Sequence, residues 1–392
     1  MRRYIEMGLT CLVCASGCYQ AHERTTEPPP PPVDTECVET VIIEGRTITE
    51  EKVDLLLMVD DSNSMTEEQR SLAAALPVLF RAIASGDVDL DGEPDFAPVG
   101  SINLGVVTSD MGTGGFPVPT CSDSSFGDDG LLRTAGSGSF PDCEGSFPAF
   151  LSFDPRSEST TDEFAHDAAC LAVTGTGGCG FEQPLEAVLK AVTPAEADTE
   201  FFMGTRGHGS TDHAGFIRDD SILVVLLVTD EDDCSAAAGE LYNPMSSVYS
   251  GDLNLRCFDF PEALHPVERY VDGLTALRPH LTQRLVFGTI SGIPRDLSGR
   301  DETLILRDPR MDEHIDPSMP TRLAPSCSVE GRGFATPPRR LLEVGAGIRE
   351  AGGRTVHMSI CDDDYTPAVR TILEEIGVVA RPVCEDRPGS EG

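Results

Sequence analysis

Short, unbroken apolar runs alternate along this chain with stretches whose apolar residues return every three or four positions. The runs at residues 53–59, 102–108, 221–229, 284–290 and 355–360 are rich in Val, Ile and Leu. Runs of that length without polar alternation are what strands buried on both faces look like. The intervening stretches carry the helical period. Leu72, Ala75, Leu76, Leu79 and Phe80 fall on one helical face behind Thr66, Glu67, Glu68 and Gln69, a stretch that runs to about residue 84. Residues 163–173, 184–192, 261–277, 338–351 and 365–377 read as further helices, and 40–48 as a short additional strand. Strands alternating with helices predict an α/β fold, a mostly parallel central sheet with helices on both faces. Residues 111–160, 235–260 and 293–335 break the pattern and read as long insertions; the first is rich in Gly, Ser, Pro and Asp.

The ends of two apolar runs add chemistry to this outline. One run stops at Asp60-Asp61-Ser62-Asn63-Ser64, and another at Thr229-Asp230. A parallel sheet brings such ends to one edge, where open α/β sheets bind their ligands. Carboxylates and hydroxyls with no neighbouring Lys or Arg suit a hard cation. Asp60-x-Ser62-x-Ser64 after one strand, with Val228-Thr229-Asp230 after a later one, resembles the metal-ion-dependent adhesion site of von Willebrand factor A (VWA) domains. The likeness covers most of residues 53–380.

The resemblance implies a VWA/Rossmann-like domain over residues 37–385, with the insertions stapled by disulfides. It implies Mg2+ or Mn2+ held directly by Ser62 and Ser64, with Asp60 and Asp230 ligating or accepting hydrogen bonds from metal-bound water. An open coordination position would take an acidic group from a protein or glycan partner, so the implied activity is binding, not catalysis. The family's middle ligand is usually a Thr before a helix. Here Thr174 and Thr176 lie early, Cys179 lies nearer, and Glu182 is the substitute, because some branches of the family use Glu there. Where the family often has Gly after its second Asp, this chain has Glu231, Asp232 and Asp233, which read as solvated.

A second acidic motif runs Asp87-Val88-Asp89-Leu90-Asp91-Gly92-Glu93-Pro94-Asp95. Alternating carboxylates followed by Gly open a Ca2+ loop. Pro98 stands where an EF-hand has its bidentate Glu, and Asp95 is taken to close the shell instead. An acidic surface turn is the competing reading. Two further readings of the first site stay open. One is a metal-dependent hydrolase or phosphatase of the haloacid-dehalogenase type; the other is a structural module with a vestigial metal site. Phosphoryl chemistry uses a Lys to steady charge, and this chain offers Lys52 and Lys190. The phosphatase pattern also wants an Asp where Ser62 stands. His208, His213, His265 and His280 read as surface or capping residues.

Asp and Glu total 66 against 29 Lys and Arg, a net charge of −37. Such a polyanion repels nucleic acid and anionic membrane surfaces. The amino terminus carries its own signals. Arg2 and Arg3 precede a moderately apolar stretch that ends in Ala15-Ser16-Gly17-Cys18, which resembles a bacterial lipobox with Cys18 as the lipidated residue. Residues 19–36, with prolines from Pro28 to Pro32, read as an extended linker, and 386–392 as a tail. The expected location is therefore the cell envelope, as an outer-membrane or cell-surface lipoprotein that meets the membrane through its anchor alone. Setting aside Cys11, Cys14 and Cys18, the remaining Cys form an even set, as a fully oxidised exported protein requires. Proximity in sequence suggests Cys121–Cys143, Cys170–Cys179, Cys234–Cys257 and Cys327–Cys361, with Cys37–Cys384 joining the domain ends.

Overall fold

The structure is a computed structural model, and it describes residues 41–43, 46–48, 50–138, 142–330 and 333–380. Along the chain it forms β1 (Val41–Ile43), β2 (Arg46–Ile48), β3 (Glu51–Val59), α1 (Thr66–Ser85), β4 (Val99–Thr108), β5 (Leu151–Phe153), α2 (Thr161–Ala172), α3 (Pro184–Val192) and β6 (Ile222–Val228). There follow α4 (Arg256–Asp259), α5 (Glu268–Thr275), β7 (Leu285–Ser291), α6 (Glu302–Leu306), β8 (Cys327–Val329), β9 (Gly333–Ala335), α7 (Arg339–Glu350), β10 (Arg354–Ser359) and α8 (Thr366–Val379). The central sheet has the order β10-β7-β6-β3-β4-β5. Its long strands are all parallel, and the short edge strand β5 is antiparallel to β4.

The strand period of two divides the apolar residues of the sheet between two layers. Val53, Leu55, Leu57 and Val59 pack with Val224 and Leu226 in the layer that holds α1, α2 and α8. Leu56 and Met58 pack with Leu223, Val225 and Phe287 in the layer that holds α3, α5 and α7. Both faces are dry, which explains why the strands read as continuous apolar runs. Each fully buried Leu, Val or Ile contributes about 1.5–3 kcal/mol. Local signals agree with this arrangement. Thr160 and Glu163 form a capping box at α2, and Gly86, at φ 78°, closes α1 in the left-handed conformation that favours glycine.

β3 lies at the centre of the sheet, with Val59 in register with Thr108 of β4 and Val228 of β6. The residues after each, Asp60, Ser109 and Thr229, therefore leave the sheet side by side at one edge.

Three sequence expectations need correction. The helix expected over 261–277 is only α5, preceded by a single 3-10 turn at Pro261–Ala263. Pro266 removes a backbone donor between them, and the Ala237 and Ala238 amides take the Ala263 carbonyl instead. The insertions also hold regular pieces, β5 and the β8–β9 hairpin, which are three residues each and too short to show a period.

Finally, the first two disulfides are crossed relative to expectation: the pairs are Cys121–Cys179 and Cys143–Cys170. The insertion does not close on itself but docks on α2 and on the loop before α3. Ser137 donates its amide to the Cys170 carbonyl there. Cys234–Cys257 and Cys327–Cys361 pair as expected, and Cys37–Cys384 lies outside the described residues.

Candidate metal centre at the strand ends

Asp60 is fully buried, and its amide donates to the Val228 carbonyl at 2.9 Å, which extends the β3–β6 ladder into the site. Its Oδ1 accepts from the Ser62 amide (2.8 Å) and the Ser109 hydroxyl (3.1 Å), and its Oδ2 accepts from Thr229 Oγ1 (2.6 Å). The turn that follows leads into α1 and sets Ser62 Oγ 3.2 Å from Ser64 Oγ. The Ser64 hydroxyl also lies near the carboxyl of Asp230 and opposes the rise that burial imposes on it. Glu182 arrives on the segment between α2 and α3. Its carbonyl accepts from the Cys234 amide (2.8 Å), and the next amide, of Gln183, donates to the Ser109 carbonyl (2.9 Å). The Glu182 carboxyl is thereby buried against Asp60, Asp230 and Glu231. Asp60, Ser62 and Ser64 thus share one turn and Asp230 and Glu182 lie within electrostatic reach of Asp60, but the carboxylate oxygens of Asp60, Asp230 and Glu182 do not all come within 4.8 Å of one another.

Other candidates for the middle position are committed elsewhere. Thr174 Oγ1 accepts from Gln69 Nε2 at 2.8 Å, and Cys179 is in a disulfide. The same Gln69 amide nitrogen donates to the Asp60 carbonyl and so ties α1 to the site. The glycines before Glu182 allow a close approach. The Gly178 amide donates to the Asp61 carbonyl, and a Cβ at 178 would stand 2.2 Å from Asp61 Oδ1. Ser109 and Asp110 escaped the sequence reading, and Gln69, Asp61, Thr229 and Glu231 were read there without a place in the site. For Ser109-Asp110 a signal existed, since the pair follows the 102–108 run just as Asp60 and Asp230 follow theirs.

Burial raises the carboxyls of Asp60, Asp230 and Glu182; Glu231 and Asp60 repel Glu182, and Asp60 repels Asp230. Burial and Asp60 push Glu231 up to about 7. Asp61 rises to about 8 and Asp110 to about 6, burial being the main cause in both. Asp230 Oδ1 is buried with no hydrogen-bond partner among the described residues. An all-oxygen donor set, crowded with like charge and holding an orphaned carboxylate oxygen, has the chemistry of a hard-cation site. Asp60, Ser62, Ser64, Asp230 and Glu182 would hold the ion. It would supply a positive, ligand-accepting position for an anionic oxygen.

The acids after Glu231 are not the solvated residues expected. Asp232 accepts the Arg340 amide (2.9 Å) at the start of α7. Buried Asp233 accepts the Leu185 amide (3.0 Å) at the start of α3, together with the Ser235 hydroxyl (2.6 Å) and Arg340 Nε (3.2 Å). Unsatisfied amides and the helix dipole draw carboxylates to such positions, so Asp230 is followed by two residues that hold helix amino-ends.

The lysines are engaged as well. Buried Lys190 pairs with Asp129 and Thr205, and Lys52 with Asp220 at 2.7 Å. His213 is buried rather than superficial: its ring bonds the Ala191 carbonyl (2.8 Å) and the Leu132 amide (3.0 Å).

In the loop after α1, Asp87, Asp89 and Asp95 each place a carboxylate oxygen within 4.8 Å of the others. Asp91 stands outside that group, and its carboxylate accepts the Glu93 amide (2.9 Å).

A cleft of about 790 Å³ opens beside the strand-end site, with Ser62, Ser64, Glu182 and Glu231 at its head. Its other walls come from residues 253–264, 313–336 and the start of α7.

No family model matches the chain, and neither does any curated protein. Among solved structures it is similar to proximal thread matrix protein 1 from the mussel byssus, at 10% identity and a TM-score of 0.33. That match covers 83% of this chain and 48% of the other. A point mutant of the PilB minor pilin from Streptococcus sanguinis matches at 8% identity and a TM-score of 0.33, covering 86% of this chain and 62% of the pilin. The chain thus spans about half the length of the first and about three-fifths of the second. Likeness of this degree carries no argument about function.

Proposed function

We propose that residues 37–385 form a VWA-type domain that binds a protein or glycan partner through a divalent cation at the strand ends. Ser62, Ser64, Asp60, Asp230 and Glu182 hold Mg2+ or Mn2+, and an acidic group of the partner completes the coordination. The observation that carries this reading is the buried Asp230 Oδ1, without a hydrogen-bond partner among the described residues and surrounded by carboxyls raised by burial and mutual repulsion. The four disulfides belong to an oxidising compartment. No helix among the described residues is long and apolar enough to cross a membrane. Attachment through a lipid on Cys18, which lies outside the described residues, is part of the proposal, as is Ca2+ at Asp87, Asp89 and Asp95.

Calorimetric titration with Mg2+ tests the centre. Ser62→Ala and Asp230→Ala should each weaken binding by about tenfold or more while the circular dichroism of the fold is kept. Equal Mg2+ affinity in wild type and both variants removes the reading. A Ca2+ titration on the same samples, with Asp89→Ala added, reports the loop after α1: a Ca2+ site there is lost in that variant alone.

A further inference from the structure

The cleft that leaves the metal centre is shaped by parts of the chain outside the α/β core. Part of its lining is apolar, with Phe181, Phe258, Leu264 and Phe334 among its lining residues. Its volume of about 790 Å³ is in the range of sites that enclose a ligand. Three arginines reach it, and each is engaged elsewhere. Arg340 is bound to Asp233 and to the His265 carbonyl. Arg322 pairs with Asp316 and lies 4.3 Å over the Phe334 ring. Arg339 donates to the Met311 carbonyl at 2.9 Å.

Two acids on the same wall are in a different position. Glu313 and Glu343 have no hydrogen bond and no ion pair among the described residues. Glu313 is half-buried, and its carboxyl is raised by burial, with Glu343 repelling it and Arg339 and Arg340 opposing the rise. The cleft therefore joins a centre that takes an anionic group to apolar lining residues and to two acids that form no ion pair of their own, with Arg339 and Arg340 near Glu313.

Resting on the proposed metal centre, we infer that the cleft takes an extended peptide segment of a partner protein that carries both charges. An acidic side chain meets the ion, apolar side chains cover the phenylalanines, and a Lys or Arg pairs with Glu313 and Glu343. A glycan would use the ion but leave those two acids and the apolar lining unanswered. A segment that carries both charges is favoured over all-acidic partners, which the chain repels.

The probe is a pool of short acetylated peptides with one Asp, apolar middle positions, and either Lys or Gln at the other end, made in both orders. Retention on the full chain is read by mass spectrometry in Mg2+ and in chelator. In Mg2+ the Lys peptides should be retained about fivefold better than their Gln counterparts, the effect of one partly buried charge pair. Glu313→Gln with Glu343→Gln should erase that preference and leave Mg2+ affinity unchanged. Both positions are accessible in the cleft, so the variant keeps its fold. If Mg2+ binds by calorimetry but Lys and Gln peptides are retained equally, or none is retained, this inference is overturned while the metal centre stands. If Mg2+ does not bind, the metal centre itself falls, and the inference with it.

Discussion

At the scale of single residues, the site is a concentration of carboxyls that the fold brings out of water. Burial pushes Asp61 and Asp110 up to about 8 and about 6, well above their ordinary range near 4. A folded-state pKa above the unfolded value means the native state holds protons that the unfolded chain releases. The stabilisation is complete at low pH and is lost as pH rises through the folded values. Metal-free protein should therefore lose thermal stability between about pH 5 and about pH 8, by about 2–4 °C per pH unit at the steepest point. Mg2+ should flatten that slope, because the ion replaces the protons. Scanning calorimetry in chelator and in Mg2+ checks this; a flat profile in chelator would show that the carboxyls do not crowd one another. Asp60, Ser62, Ser64 and Asp230 were legible in the sequence, because a strand end is visible as the place where an apolar run stops. The structural duty of Asp232 and Asp233 was not, since their partners at Arg340 and Leu185 are remote in sequence.

At the scale of elements, the site depends on helices that are held rather than self-supporting. α3 is nine residues long, and no side chain of its own N-cap residue closes its amino end. Asp233 supplies that cap from the segment after β6 and pairs with Arg340 at the start of α7. Asp233→Ala would leave the half-buried Arg340 guanidinium short of its partner and the first turn of α3 uncapped. The expected loss is about 2–4 kcal/mol in denaturant unfolding, with Asp233→Asn recovering part of it through the amide oxygen. A loss below about 0.5 kcal/mol would mean that the two helices are positioned by apolar packing alone. The helix expected over 261–277 belongs to the same lesson. Its apolar spacing was real, but Pro266 and the contacts of Ala263 with the 236–238 segment shortened it.

At the scale of the whole molecule, an acidic α/β core carries insertions pinned by disulfides, and the insertions make the cleft. Attachment through a lipid on Cys18 belongs to the proposed function. Its prediction is that Cys18→Ser moves the protein from the membrane fraction to the soluble one. Mass spectrometry that finds an unmodified amino terminus beyond Cys18 would end the anchoring proposal. Net charge acts at this scale too: a chain at −37 attracts basic partners over distance and repels acidic ones, with the effect fading as salt is raised.

By itself the sequence determined the layer order, the parallel sheet and the strand ends that carry Asp60 and Asp230, because burial on both faces and one-sided helix burial each leave a short-range period. It also determined that Cys234–Cys257 and Cys327–Cys361 could pair, because each loop closes on itself. Only the tertiary structure decided that Cys121 reaches Cys179 and Cys143 reaches Cys170, since an insertion docking on α2 leaves no period to read. It alone decided that Glu182 joins Asp60 and Asp230, and that Glu313 and Glu343 face the same cleft as Ser62 and Ser64. Those contacts join residues far apart in the chain, so no short-range period records them.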